Sequence, residues 1–212
     1  MKMSKGILIV ISGFSGAGKG TLMKRLTRDY DNYALSVSMT TRAPREGERD
    51  GIEYFFVDTD AFQERIRQGR MLEYACYCGN YYGTPADYVQ QQLEAGKDVI
   101  LEIEIQGALQ IRKLVPDCLL LFVTPPSAGE LRRRLEGRGT ETPDVIARRL
   151  ARAVEESEGI EAYDYIVIND DLEECVRQIH SMVQNAHYTS ARQEALIEEI
   201  RGGLKQFSKG AE

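Results

Sequence analysis

Histidine is scarce: His180 and His187 are the only two in 212 residues. The four cysteines, Cys76, Cys78, Cys118 and Cys175, show no CxxC spacing. Together these shortages argue against a structural zinc site and leave reduced thiols in a cytoplasmic protein as the expectation. Long apolar runs are missing as well. The longest are five to seven residues, against the ~20 that a membrane-spanning helix needs. The opening MKMSKGILIVISG sets lysines before an apolar run, as a signal peptide does, but glycine-rich sequence follows at once and a buried strand is the better reading. Net positive charge is also absent. The formal charge of −6 argues against a general nucleic-acid binder, so any basic site has to be local.

What is present suits one mid-sized domain, or one core with insertions. Hydrophobic residues make up 42% and charged residues 28%, ordinary values for a globular protein with a sizeable core. Four short apolar runs, 7–11, 99–103, 119–123 and 165–168, read as buried strands. A helical pattern follows each, near 19–28, 107–114, 128–135 and 172–187. Such alternation predicts an α/β fold whose parallel sheet is covered by helices on both faces. Between the first two strands the texture changes. Residues 36–91 hold six of the eleven tyrosines, with alternating segments such as GIEYFFV and breaks such as CGNYYGTP. This reads as a small mixed α/β insertion. GRGTETPD, 137–144, is too polar and turn-rich for core. A long helix over 145–159 returns from it, and Asp170 or Asp171 is placed to cap the helix that follows. The stretch after Thr189 is either a loose helix or disordered.

The stretch GFSGAGKGT occupies residues 13–21, between the first strand and its helix. Glycines permit the turn and let a ligand approach the main chain. Several N–H groups then converge on one point at a helix N-terminus, and Lys19 adds a mobile positive charge. The segment reads as a polyphosphate cradle built from Gly13, Phe14, Ser15, Gly16, Ala17, Gly18, Lys19, Gly20 and Thr21. It departs from the usual pattern at one position, because Gly20 stands where a hydroxyl normally ligates Mg²⁺. Mg²⁺ accompanying the nucleotide is therefore expected to be held mainly by phosphates and water, with no direct protein ligand assigned; the loop alone leaves GTPase, ATPase and kinase open.

Further motifs follow in order: SVSMTTRAPREGE, GIEYFF, the YYGTP run, QG after the second strand, PPS, RRRLEGRGTE and VINDDL. From about residue 5 to residue 183 the chain resembles the guanylate kinase family, nucleoside monophosphate kinases that convert ATP and GMP to ADP and GDP. The resemblance implies a core (about 5–35, 97–136 and 160–189), an inserted GMP-binding subdomain (about 36–96) and an arginine-rich lid (about 137–159), leaving 190–212 as a tail. It implies that Ser38, Arg42, Arg45, Tyr54 and Tyr82 hold the GMP phosphate, which suits a dianion. It puts Glu73 and Thr84 at the guanine. A carboxylate accepts from guanine N1–H and N2–H₂, whereas adenine offers an unprotonated N1 there. Glu102 is expected to contact GMP or orient an arginine. Glu104 is one methylene longer than the usual aspartate and stays open between that role and a strand-end charge.

Seven arginines against three acids lie between residues 132 and 152. Arg132, Arg133 and Arg152 read as surface ion-pair partners. The resemblance puts Arg138 and Arg149 in a lid closing over ATP, with Arg134 on the nucleotide and Asn169 beside the adenine. The acceptor oxygen of GMP is already anionic, so no general base is required and the histidine shortage is no obstacle. Lys19, Arg42, Arg138 and Arg149 are the expected catalytic groups, working by in-line positioning and charge neutralisation. Two alternatives stay beside this reading: a non-catalytic guanylate-kinase-like interaction module, and a P-loop kinase for another nucleoside monophosphate. Neither a nucleic-acid nor a membrane partner is expected; the oligomeric state is not legible.

Overall fold

In the computed structural model, residues 5–77, 79–137 and 142–208 are described. Five parallel strands form the central sheet: β1 (Leu8–Gly13), β2 (Tyr33–Leu35), β7 (Asp98–Glu102), β8 (Leu119–Thr124) and β9 (Tyr165–Ile168), in the order β2-β7-β1-β8-β9. Four are the apolar runs of the sequence. The fifth, β2, is three residues long, too short for any periodicity to register.

β1 explains why these runs look continuous instead of alternating. Ile7, Ile9 and Ile11 pack on one face with α1 (Lys19–Asp29) and α7 (Leu172–Ala186). Leu8 and Val10 pack on the other with α3 (Ala86–Glu94) and α4 (Ile105–Leu114). Both faces are dry, so both sets are apolar. A smaller cluster joins α5 (Ala128–Glu136) to α6 (Pro143–Ser157), and Phe14 touches all three clusters. Phe14 thus fixes the glycine loop to the core at the point where the three meet.

Both histidines serve this framework. Asp98, only 1% exposed, accepts from Ile7 N at 2.8 Å and Asn32 Nδ2 at 2.9 Å, and it pairs with His187 Nε2 at 2.9 Å. One carboxylate thereby ties β1, the turn before β2, β7 and the end of α7. His180 stacks on Tyr30 at 3.6 Å and meets the Tyr33 hydroxyl through Nδ1 at 2.9 Å. Burial lowers the His180 pKa below its ordinary value.

A second sheet, ordered β4-β3-β6-β5, combines β3 (Met39–Thr40), β4 (Phe55–Phe56), β5 (Met71–Tyr77) and β6 (Asn80–Pro85). Only β3 and β4 are parallel; the other pairs are antiparallel. Helix α2 (Thr59–Arg67) is capped by Asp58, which accepts from Ala61 N at 2.7 Å. Its Phe62 is fully buried and stacks on Tyr81. Asp171 caps α7 by accepting from Glu174 N. The C-terminal stretch forms a helix, α8 (Glu194–Ser208). Among the described residues no helix is long and apolar enough to cross a membrane.

Candidate active site

The glycine loop runs from the C-terminal end of β1 into α1, and close approach requires glycine at positions 13, 16 and 18 but not at Gly20, where a Cβ would meet open space. Gly18, at φ +89°, caps α1, and a Cβ there would lie 2.6 Å from Asn169 Nδ2. At Gly13 a Cβ would come within 2.1 Å of Val123 O on the neighbouring strand. No side chain caps the first turn of α1, so its amides are available to an anion. Asn169 is buried and donates through Nδ2 to Ala17 O at 2.7 Å, holding the loop from behind. Lys19 Nζ donates to Gly13 O at 2.7 Å and Phe14 O at 3.3 Å, which folds the ammonium back over the loop.

Arg149, half-buried on α6, donates from Nη1 to Ser15 Oγ at 2.7 Å. Its neighbour Arg148 is exposed. Arg134 is held by Glu130 at 2.6 Å; Arg133 and Arg134 together pull the Glu130 pKa down to about 2. Arg132 pairs with Glu136, and Arg152 with Glu155 and Glu104. Glu104 sits at the N-cap of α4 with an exposed side chain. Arg138 lies outside the described residues.

Across the cleft stands the second sheet. Arg42 Nη2 donates to both oxygens of Glu48 at 2.9 Å, and its guanidinium lies 5.5 Å from the Tyr54 ring centre. Glu48 first, then the Tyr82 hydroxyl, raises the Arg42 pKa. Arg45 donates its backbone N–H to the same Glu48 at 2.7 Å, and its side chain is exposed. The Arg45 amide and the Arg42 guanidinium hold the Glu48 carboxyl below its ordinary range. Tyr54 and Tyr82 meet edge to face at 6.2 Å. Ser38, half-buried just before β3, accepts from Phe55 N through its carbonyl at 2.8 Å.

Glu73 and Thr84 are direct cross-strand partners on β5 and β6, beside a bulge between Met71 and Glu73. Thr84 Oγ1 donates to Glu73 Oε1 at 2.6 Å. Burial raises the Glu73 pKa, and the Thr84 hydroxyl and amide offset part of that. Gly107 on α4 lies against this carboxylate: a Cβ there would stand 3.4 Å from Glu73 Oε2.

One cleft of about 460 Å³ lies between the glycine loop and Tyr54; Arg42, Glu73, Thr84, Tyr82 and Arg149 are not among its lining residues. Gly13, Ser15 and Lys19 line it on one side, Tyr54 on the other, with Glu102, Ile103, Glu104, Ile105 and Glu156 between. The family model for guanylate kinase matches residues 5–186. The chain belongs to the guanylate kinase family. It is 48% identical over 205 residues to a guanylate kinase of Bacillus cereus, covering 96% of this chain and all of that one. It is 52% identical over 184 residues to one of Lactococcus lactis, covering 87% and 90%. A crystal structure of guanylate kinase from Anaplasma phagocytophilum superposes with a TM-score of 0.71 at 33% identity, covering 91% of this chain and 92% of the other.

Two acids of this guanylate kinase family member escaped the sequence reading. Glu48 carries the Arg42 fork, and only its place three residues beyond Arg45 hinted at it. Glu156 sits among the acids of VEESE on α6, a pattern that looks like a solvated helix face. It nevertheless lines the cleft, and its Oε2 is buried without a hydrogen-bond partner.

Proposed function

We propose that the chain transfers the γ-phosphoryl group of ATP to GMP, and by the same chemistry to dGMP, giving ADP and GDP in purine nucleotide metabolism. The observation that carries this reading is the shared cleft: the glycine loop with Lys19 and Tyr54, the residue that leads into β4 of the second sheet, line one space. Donor and acceptor phosphates held there would meet end to end. A cytoplasmic location, where both nucleotides are found, goes with this activity.

The loop amides of 13–20 and Lys19 hold the donor phosphates. Arg42, Arg45, Tyr54, Tyr82 and the Ser38 hydroxyl hold the acceptor phosphate, with Arg42 exchanging Glu48 for phosphate oxygens of similar geometry. Glu73 and Thr84 accept from the guanine edge, and Glu102 at the end of β7 stands beside the acceptor. Arg149 leaves Ser15 to neutralise the transferring group, with Arg138 and Arg134 assisting. Asn169 steadies the loop near the adenine side. The acceptor oxygen is anionic at neutral pH, so rate acceleration comes from alignment and charge neutralisation.

Mg²⁺ fits this cleft as a partner of the nucleotide. Among the described residues no cluster of three His, Cys, Asp or Glu forms a cage. Glu102 and Glu156 supply hard oxygen atoms on the cleft wall for its hydration shell. When bound, the ion neutralises charge on the phosphoryl group and orients it.

A coupled ADP-release assay with GMP, dGMP, AMP, UMP and CMP as acceptors tests the reading. Turnover confined to GMP and dGMP is expected. Preference for another acceptor, or no turnover with any, would overturn it in favour of a different kinase or a binding module.

A further inference from the structure

Among the described residues, three buried side-chain polar atoms make no hydrogen bond: Ser36 Oγ, Glu156 Oε2 and Tyr163 Oη. A buried group left unpaired is costly and calls for a physical reason. Two of the three are neighbours of complementary kind, an acceptor and a donor. Glu156 stands in the last turn of α6, the 3₁₀ turn Ile160–Ala162 follows, and Tyr163 leads from it towards β9. The Glu156 side chain is 13% exposed, with Oε1 3.5 Å from Arg152 Nε. Tyr163 is 9% exposed. Its ring meets Phe122 edge to face at 5.3 Å, and Phe122 meets Phe14 of the glycine loop in the same way at 5.0 Å. The nearby Ser12 hydroxyl donates elsewhere, to Ile103 O at 2.7 Å. Burial, and with it the Glu156 charge, pushes the Tyr163 pKa up to about 12, so the phenol keeps a proton to donate.

The helix that carries Glu156 gives this pair a consequence. Arg149, Arg152 and Glu156 lie three and four residues apart, on one side of α6. Arg149 rests on Ser15 at 2.7 Å, and Glu156 lines the cleft with Ser15 and Lys19. A shift of α6 that brings Glu156 to Tyr163 moves Arg149 as well, because one helix carries both.

We infer that Tyr163 is a positioning residue whose hydroxyl donates to Glu156 Oε2 when both nucleotides are bound, fastening α6 where Arg149 meets the transferring phosphoryl group. The inference rests on the kinase reading above. Without substrates each group is buried and unpaired; joined, they satisfy one another. The substrates thereby select between two arrangements of α6 that differ in this contact.

Tyr163→Phe removes the hydroxyl and keeps the ring. Its ligand-free Tm should stay level or rise, since an unpaired buried group is lost. The Kd of β,γ-imido-ATP with Mg²⁺ for the GMP-saturated protein, read by calorimetry, should weaken about tenfold, the scale of one hydrogen bond to a charged group. The Kd for GMP alone should not change. Glu156→Met removes the acceptor at similar volume, and the double variant completes a cycle. The two substitutions should couple by about threefold or more in the nucleotide-bound complex and add in the ligand-free Tm. An unaltered Kd in Tyr163→Phe would overturn the inference, as would a cycle that reads alike in both states. So would a ligand-free Tm several degrees lower, because the hydroxyl would then already be in use. Wild-type turnover of GMP separates this from the reading beneath it: no turnover removes both, whereas turnover with an uncoupled cycle removes only the inference.

Discussion

Replacing Glu73 by Gln keeps the shape of the side chain and removes its charge. The wild-type carboxylate already accepts from Thr84 Oγ1 at 2.6 Å, and the remaining lone pairs are those assigned to guanine N1–H and N2–H₂. The substituted amide keeps one acceptor oxygen and turns an –NH₂ towards a guanine donor. At least one charge-assisted bond is lost, worth about 1.5–3 kcal/mol. A deficit of about 1.4 kcal/mol is tenfold, so kcat/KM for GMP should fall roughly 10- to 150-fold, with the KM for ATP little changed.

The same substitution has the opposite sign in stability. Burial raises the folded-state pKa of Glu73 above its ordinary value. The folded chain therefore holds this proton more tightly than the unfolded one, and the group's contribution to stability falls as pH rises through its titration. A neutral amide escapes that desolvation cost, so the ligand-free Tm of Glu73→Gln at neutral pH should stay level or rise. Steady-state kinetics and thermal melting on one preparation read both quantities. An unchanged kcat/KM for GMP would refute base recognition by Glu73, and a Tm that falls by several degrees would mean the carboxylate is structural.

Three other outcomes are expected. Gly18→Ala forces a side chain into a left-handed backbone costing about 1–2 kcal/mol and to within 2.6 Å of Asn169 Nδ2, so Tm should drop and the KM for ATP should rise in ATP-titrated kinetics. Arg149→Ala should lower kcat by about 10²-fold or more while the KM for GMP stays within about threefold; Ser15→Ala, which removes only the resting partner, should leave kcat nearly intact. The lowered His180 pKa means the proton prefers the unfolded chain, so stability should fall as pH drops below about 6.5, and His180→Gln should flatten that limb of a Tm-against-pH curve relative to wild type.

The fold was legible wherever burial on both faces wrote a continuous apolar run. The runs at 119–123 and 165–168 match β8 and β9 to within one residue. The strands β2 and β3, of three and two residues, were hidden because so few residues carry no period, and β4, of two, showed only within the alternating GIEYFFV. The glycine loop at 13–21 was readable for another reason: Gly13, Gly16 and Gly18 are forced by positive φ and by neighbours within 3 Å of any Cβ, so the constraint is written in the residues themselves. Glu48 and Glu156 left no such trace. A carboxylate that faces a cleft and one that faces water obey the same helix or turn preferences, and only the three-dimensional path separates them. Glu104, a conspicuous acid in LEIEIQG, lies exposed at the α4 cap on the rim of the same cleft and pairs with Arg152.

These differences sort the cleft into parts held in two physical ways. The glycine loop is fixed by backbone contacts, by the buried Asn169 amide on Ala17 O and by Phe14 wedged among three clusters. These contacts hold the loop in its turn without an anion bound. The arginines are held on partners that a phosphate can replace: Arg42 on Glu48, Arg134 on Glu130 and Arg149 on Ser15. Partly exposed pairs of this kind contribute about 0–1 kcal/mol, less than a bidentate phosphate contact returns. Stored this way, Arg42 and Arg134 are each neutralised by a carboxylate, whereas Arg149 rests on a neutral hydroxyl and keeps its charge uncompensated by that partner. On the proposed reading, the fixed loop would set where the donor phosphates sit, and the exchangeable arginines would follow the charge as it develops.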